Sequence, residues 1–150
     1  MSDNLLLERS DTVERINVTV IIPSLNPDEK LRKTVSDLIA VGFDDIILVN
    51  DGSAPESVQN FPTDVPECTI LTHEVNRGKG AAMKTAFRYY LESARKTVGV
   101  ITVDGDGQHI AEDVLACARE MCAQNAVILG VRDFSEPQVP PRSRIGNRFL

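Results

Sequence analysis

The sequence predicts an α/β domain built on a mostly parallel sheet with helices on both faces. Three observations predict it. Short, β-branched apolar runs alternate with longer segments whose apolar residues recur at helical spacing. The short runs are almost continuously apolar, as strands covered on both faces are. Polar and charged residues gather just past the ends of these runs, where an open parallel sheet binds its ligands. The 150 residues suffice for one domain with its own core.

Residues 1–16 are polar apart from Leu5, Leu6 and Leu7 and read as an N-terminal extension, with the domain at 17–150. "VTVII" (Val18–Ile22) is too short and too β-branched for a helix and predicts the first strand. Asn26 then has N-cap chemistry, Pro27 suits a first helical position, and Glu29 completes a capping-box pattern. Leu31, Val35, Leu38 and Ile39 continue at helical spacing up to Gly42. "DIILVN" (Asp45–Asn50) predicts the second strand, closed by the turn "DGS". Residues 54–68 hold three prolines and little periodicity, which predicts an irregular connection.

"CTILT" (Cys68–Thr72) predicts a third strand, and "RGKGAAMKTAFRYYLESARK" (Arg77–Lys96) opens on glycines and becomes helical. "VGVITV" (Val98–Val103) predicts a fourth strand. "AEDVLACAREMCAQ" (Ala111–Gln124) places Val114, Leu115, Ala118, Met121 and Cys122 on one helical face. "AVILG" (Ala126–Gly130) predicts a fifth strand. The tail from Asp133 to Leu150 is basic and proline-containing and brings no closing element, so the expectation is the front part of a longer domain.

Composition narrows the function classes. A net charge of −6 argues against a general nucleic-acid binder, which would need a basic face. An acidic protein that handles phosphates needs a metal or a few placed cations. Cys68, Cys117 and Cys122 lack C-x-x-C spacing and read as reduced thiols. With no basic segment leading an apolar one at the start and no apolar run near membrane length, cytoplasm is the expected compartment.

The fourth strand ends in "DGDGQH". In extended geometry Asp104 and Asp106 point to one side, so both can face one hard cation; Gln108 can add a carbonyl oxygen. Mg²⁺ or Mn²⁺ suits few carboxylates completed by phosphate oxygens and water. A solvated turn explains an isolated D-G-D as well. An EF-hand fails, because His109 stands where that loop needs glycine and no Glu reaches its twelfth position. Asp51 ends the second strand where Rossmann-like sheets keep an acid for a ribose hydroxyl, though "NDGS" is also an ordinary turn.

"NRGKGAA" puts Lys79 between glycines at a helix start, which suits an anion without matching a P-loop or G-x-G-x-x-G. Arg132 follows the fifth run, and Arg142, Arg144 and Arg148 form a cationic cluster that is either phosphate-binding or simply solvated. His73 and His109 are not spaced as metal ligands with any Cys or Glu, and no G-x-S-x-G elbow supports acyl transfer.

Together "VTVIIPSLN", "DIILVNDGS", "NRGKGAAMKTAF", "ITVDGDGQHIAEDV" and "LGVRDF" resemble the inverting family 2 glycosyltransferases of GT-A fold. The likeness runs from Val18 to about Arg148, and "DGDGQH" followed by "GVRD" is most similar to the polyprenol-phosphate sugar transferases. The resemblance implies a Rossmann-like GT-A domain, here truncated. It implies transfer, with inversion, from a UDP- or GDP-sugar to a polyprenyl phosphate at the inner membrane face; the oligomeric state stays open, a homodimer included. Asp104 and Asp106 would be the D-x-D pair holding Mg²⁺ or Mn²⁺, with Gln108 as a further ligand. Asp51 would contact the nucleoside, Pro23 and Leu25 would line the base pocket, and Lys79 and Arg132 would hold the diphosphate or its surroundings. Family members usually carry an aromatic at Leu25, an acid at Pro27 and Asp at Asn50, so uridine and guanosine both stay open.

Three alternatives compete. A saccharide hydroxyl acceptor would need a carboxylate base, for which the sequence offers no clear candidate. Nucleotidyl transfer wants a glycine-rich basic loop after the first strand, where this chain has "PSLNPDEK". A non-catalytic nucleotide-sugar-binding module is the third.

Overall fold

The computed structural model describes residues 14–130. Its elements run β1 (Thr19–Ser24), α1 (Lys30–Ala40), β2 (Ile46–Asp51), α2 (Pro55–Val58), β3 (Cys68–His73), α3 (Lys79–Glu92), β4 (Val100–Thr102) and α4 (Ala111–Gln124). The four strands form one all-parallel sheet in the order β3-β2-β1-β4.

Strand alternation sorts the core into two layers. Val18, Val20, Ile22, Ile46 and Leu48 face α1 and α4, meeting Leu31, Val35, Leu38, Val114 and Ala118. Ile21, Ile47 and Val49 face α3, where buried Ala82 and Ala86 let the helix lie close to the sheet. The chain steps outward from β1 to β2 to β3, then returns past β1 to β4. Right-handed crossovers running in opposite directions put their helices on opposite faces, so α1 and α3 cover different sides. The reversal leaves a crevice beyond the carboxyl ends of β1 and β4, the place where open α/β sheets take ligands.

The packed unit reaches back to Ile16, which is buried and bridges Phe43. At the amino edge, Arg95 Nε donates to both carboxylate oxygens of Asp45 at 2.8 and 2.9 Å, and its Nη2 donates to Thr69 Oγ1 at 2.8 Å. Thr19 Oγ1 donates to Asp45 Oδ2 at 2.5 Å, so the network ties the loop before β4 to the starts of β1, β2 and β3.

Some local expectations are corrected. α1 begins at Lys30 with no side-chain cap on Glu29; Asp28 Oδ1 instead accepts from the Lys30 N–H at 3.0 Å. Asn26 is not the N-cap, because its left-handed backbone (φ 49°) and its side chain are engaged with the β2–α2 loop. The 54–68 connection contains the short α2, started by Pro55. Ala126–Gly130 is not a strand. Asn125 ends α4 in the left-handed conformation, no strand among the described residues pairs with the run, and Val127 and Leu129 stay 89% and 81% exposed. Among the described residues the outer edge of β4 is open, but the run does not pair with it, and apolar β-branched content makes a strand only where the segment pairs with a sheet.

Candidate functional site

The acid loop after β4 is held by contacts with β1 and α1 and by bonds within itself. Val103 is buried, and its N–H donates to Ile21 O at 3.0 Å. The next N–H, on Asp104, donates to His109 Nδ1 at 3.0 Å, which closes the loop on itself. Asp106 Oδ1 accepts from the Gln108 N–H at 3.0 Å, an Asx-type turn, and Gly107 takes a positive φ of 77°. Gly105 presses onto the end of β1: a Cβ there would lie 2.7 Å from Leu31 Cδ1 and 2.9 Å from Ser24 Oγ. The glycine between the two acids therefore lets the loop lie over the crevice at the switch point.

Across the crevice, Lys79 at the start of α3 puts its Nζ 2.5 Å from Asp104 Oδ1. Two carboxylates on one loop, Asp104 facing the Lys79 ammonium and Asp106 accepting from the Gln108 N–H, offer a set of hard oxygen donors. That set fits Mg²⁺ or Mn²⁺ completed by diphosphate and water oxygens. Among the described residues no cluster of three or more His, Cys, Asp or Glu forms a full protein cage, so a cation here would need ligand oxygens.

Asp51 lies at the carboxyl end of β2, and its side chain is only 5% exposed. His73 Nδ1 donates to Asp51 Oδ1 at 2.6 Å, and the Arg77 N–H reaches the same oxygen at 3.0 Å. His73 Nε2 pairs with Thr85 Oγ1 of α3 at 2.9 Å. Burial alone would push the Asp51 carboxyl up; the Arg77 N–H, the His73 ring and the Gly78 N–H together outweigh it and hold it below its ordinary value. Asp51 thus anchors the loop that carries Lys79. Gly52 beside it is irreplaceable on geometry, since a Cβ would sit 2.3 Å from Asn76 N at a φ of 73°.

Pro23 is half-buried in β1 and Leu25 is 46% exposed on the loop that follows. That loop is fastened to the end of β2: Ser53 Oγ accepts from the Asn26 N–H at 2.9 Å, and Asn26 Oδ1 accepts from the Ala54 N–H at 2.7 Å. Asn50 Oδ1 in turn accepts from the Ser53 N–H at 2.9 Å. Pro23, Leu25, Asp51, Lys79, Asp104, Asp106 and Gln108 all fall on the carboxyl edge of the sheet. Arg132, with Arg142, Arg144 and Arg148, lies outside the described residues.

Sequence reasoning missed His73, Asn26 and His109 as parts of this site. The His73 contact follows from the parallel register of β2 and β3, which sets it directly beside Asp51. The Asn26 and His109 contacts close loops whose shape the sequence does not announce. A recess of about 560 Å³ lined by Asp44, Asp45, Arg95 and Thr97 sits at the opposite, amino edge, where the Arg95 and Asp45 charges satisfy each other. The Cys68 thiol is half-buried, and burial, helped by Glu67 and Asp64, pushes it up to about 11, which suits an inert thiol. No helix among the described residues is long and apolar enough to cross a membrane.

Comparison with known proteins agrees with this fold. The family model described as "Glycosyl transferase family 2" matches residues 19–148. An uncharacterized protein of Methanocaldococcus jannaschii is 27% identical over 150 residues, covering 95% of this chain and 60% of the relative. A UDP-N-acetylglucosamine--dolichyl-phosphate N-acetylglucosaminyltransferase of Methanococcus voltae is 29% identical over 112 residues, covering 65% of this chain and 44% of the relative. A dolichyl-phosphate beta-glucosyltransferase of Trichomonas vaginalis is 24% identical over 139 residues, covering 81% of this chain and 42% of the relative. The chain thus spans between 42% and 60% of the lengths of these relatives.

Proposed function

The chain belongs to glycosyl transferase family 2, and from that premise we propose that it binds a UDP- or GDP-sugar and moves the sugar, with inversion, to a polyprenyl phosphate at a membrane surface. The observation that carries the reading is the acid loop laid across the switch point with the Lys79 ammonium against Asp104. Two relatives named for dolichyl-phosphate acceptors support the lipid-phosphate assignment.

Each part of the site has a task in this reading. Pro23 and Leu25 offer an apolar seat for the nucleobase, on a loop fixed by Asn26 and Ser53. Asp51 would contact the nucleoside and, through His73 and Arg77, fixes the loop that would present Lys79 to the diphosphate. Arg132 is assigned to the same diphosphate. Asp104 and Asp106, with Gln108, would hold Mg²⁺ or Mn²⁺. When bound, such an ion stabilises the negative charge that grows on the departing nucleoside diphosphate. A polyprenyl phosphate is already an anion and needs no general base, whereas a saccharide hydroxyl would.

The test is a transfer assay with labelled UDP- and GDP-sugars, Mn²⁺ and detergent-dispersed polyprenyl phosphate. Label on the lipid is expected. Label on a saccharide acceptor instead would overturn the lipid assignment. Donor binding with no transfer to either acceptor would leave a binding module.

A further inference from the structure

Lys79 and Asp104 come from different crossovers, yet they meet at 2.5 Å over the crevice. Their side chains keep 65% and 43% exposure, so the pair is held loosely. We propose that Lys79 is a resident counter-ion of the acid pair. Without a divalent ion its ammonium neutralises Asp104; when a metal-bound nucleoside diphosphate arrives, the ammonium leaves Asp104 for the diphosphate oxygens. The inference deepens the function proposed above and rests on it.

Asp104 and Asp106 are separated by a single glycine on a loop pressed against β1, so a nearby positive charge relieves their repulsion. An ammonium and a divalent ion compete for the same carboxylate oxygen, and an exposed ion pair is worth at most about a fivefold factor in an equilibrium, small enough for a ligand to break. The lysine stem is long and flexible, so its charge can move by bond rotation while α3 stays still. The outcome is a site that carries less uncompensated negative charge when empty and gains a diphosphate contact when filled.

The test is Mn²⁺ titration, followed by electron paramagnetic resonance, of the unmodified chain, Lys79→Met and Lys79→Arg, alone and with UDP or GDP. Melting curves check that the variants fold. Lys79→Met should bind Mn²⁺ alone about two- to fivefold more tightly, because the competitor is gone. The same variant should bind Mn²⁺ with the nucleotide about tenfold more weakly, because a charge-assisted contact is lost. Lys79→Arg should stay close to the unmodified chain in both. Equal or weaker binding of Mn²⁺ alone by Lys79→Met would overturn the counter-ion role and leave the metal site standing. Tighter Mn²⁺ binding with unchanged nucleotide binding would overturn the exchange. Absence of Mn²⁺ binding in every protein, with or without nucleotide, would overturn both this inference and the metal-dependent function beneath it.

Discussion

His73 Nδ1 and Asp51 Oδ1 stand 2.6 Å apart, with side chains only 6% and 5% exposed. The pair joins the ends of β3 and β2, and the Arg77 N–H reaches the same carboxylate oxygen. The site therefore depends on a buried acid whose charge is stabilised by donors aimed at it.

That arrangement fixes a pH dependence. The Asp51 carboxyl is held below its ordinary value in the folded chain. Its contribution to stability is therefore complete above the unfolded value of about 3.9 and is lost as pH falls through the lower folded value. Asp51→Asn should cost about 1–3 kcal/mol at neutral pH and flatten the acid limb of the stability profile. Urea unfolding across the acid range checks this; an unchanged acid limb would contradict it.

Two glycines should respond oppositely to alanine. At Gly52 the added methyl would lie 2.3 Å from Asn76 N and Val75 C at a φ of 73°, whereas Gly80 has open space around it. Gly52→Ala should cost about 3 kcal/mol or more through backbone clash and left-handed strain. Gly80→Ala should add about 0.4–1 kcal/mol by stiffening the unfolded chain. Paired denaturant melts decide the matter.

Asn26 serves the left-handed turn and the Ala54 N–H together. Asn26→Ala should cost about 1–2 kcal/mol and should also weaken nucleotide binding by loosening the loop that bears Leu25. Thermal melts with and without UDP or GDP separate the two effects.

Arg95 offers the contrasting case. It ties the amino edge together through Asp45 and Thr69, at the far end of the strands from the acid loop. Arg95→Met should cost about 1.5–3 kcal/mol of stability and leave Mn²⁺ and nucleotide affinity unchanged. A matching loss of affinity would show that the two edges are coupled.

The sheet was legible because period and composition speak clearly in buried parallel strands: Val20, Ile22, Ile46 and Leu48 fall on one face and Ile21, Ile47 and Val49 on the other. The candidate residues were legible because polar groups at strand ends stand out against apolar runs. What was not legible depended on pairing at a distance. Asn26 has the composition of a helix cap but serves the neighbouring loop. Ala126–Gly130 has the composition of a strand but meets no partner among the described residues. Asp51 was recognised by its place at the end of β2, while its bond to His73 follows only from the register of two parallel strands.

The most direct measurement is the thermal shift given by UDP and by GDP, with and without Mn²⁺, for the unmodified chain, Asp104→Asn and Asp106→Asn. One nucleotide should raise the melting temperature only when Mn²⁺ is present, with about 2.7 kcal/mol of added stability at a hundredfold excess over Kd. Either substitution should abolish the shift while the ligand-free protein still melts cooperatively. A shift of equal size without Mn²⁺, or one retained in both variants, would contradict the claim that the acids after β4 hold the ion that binds the diphosphate.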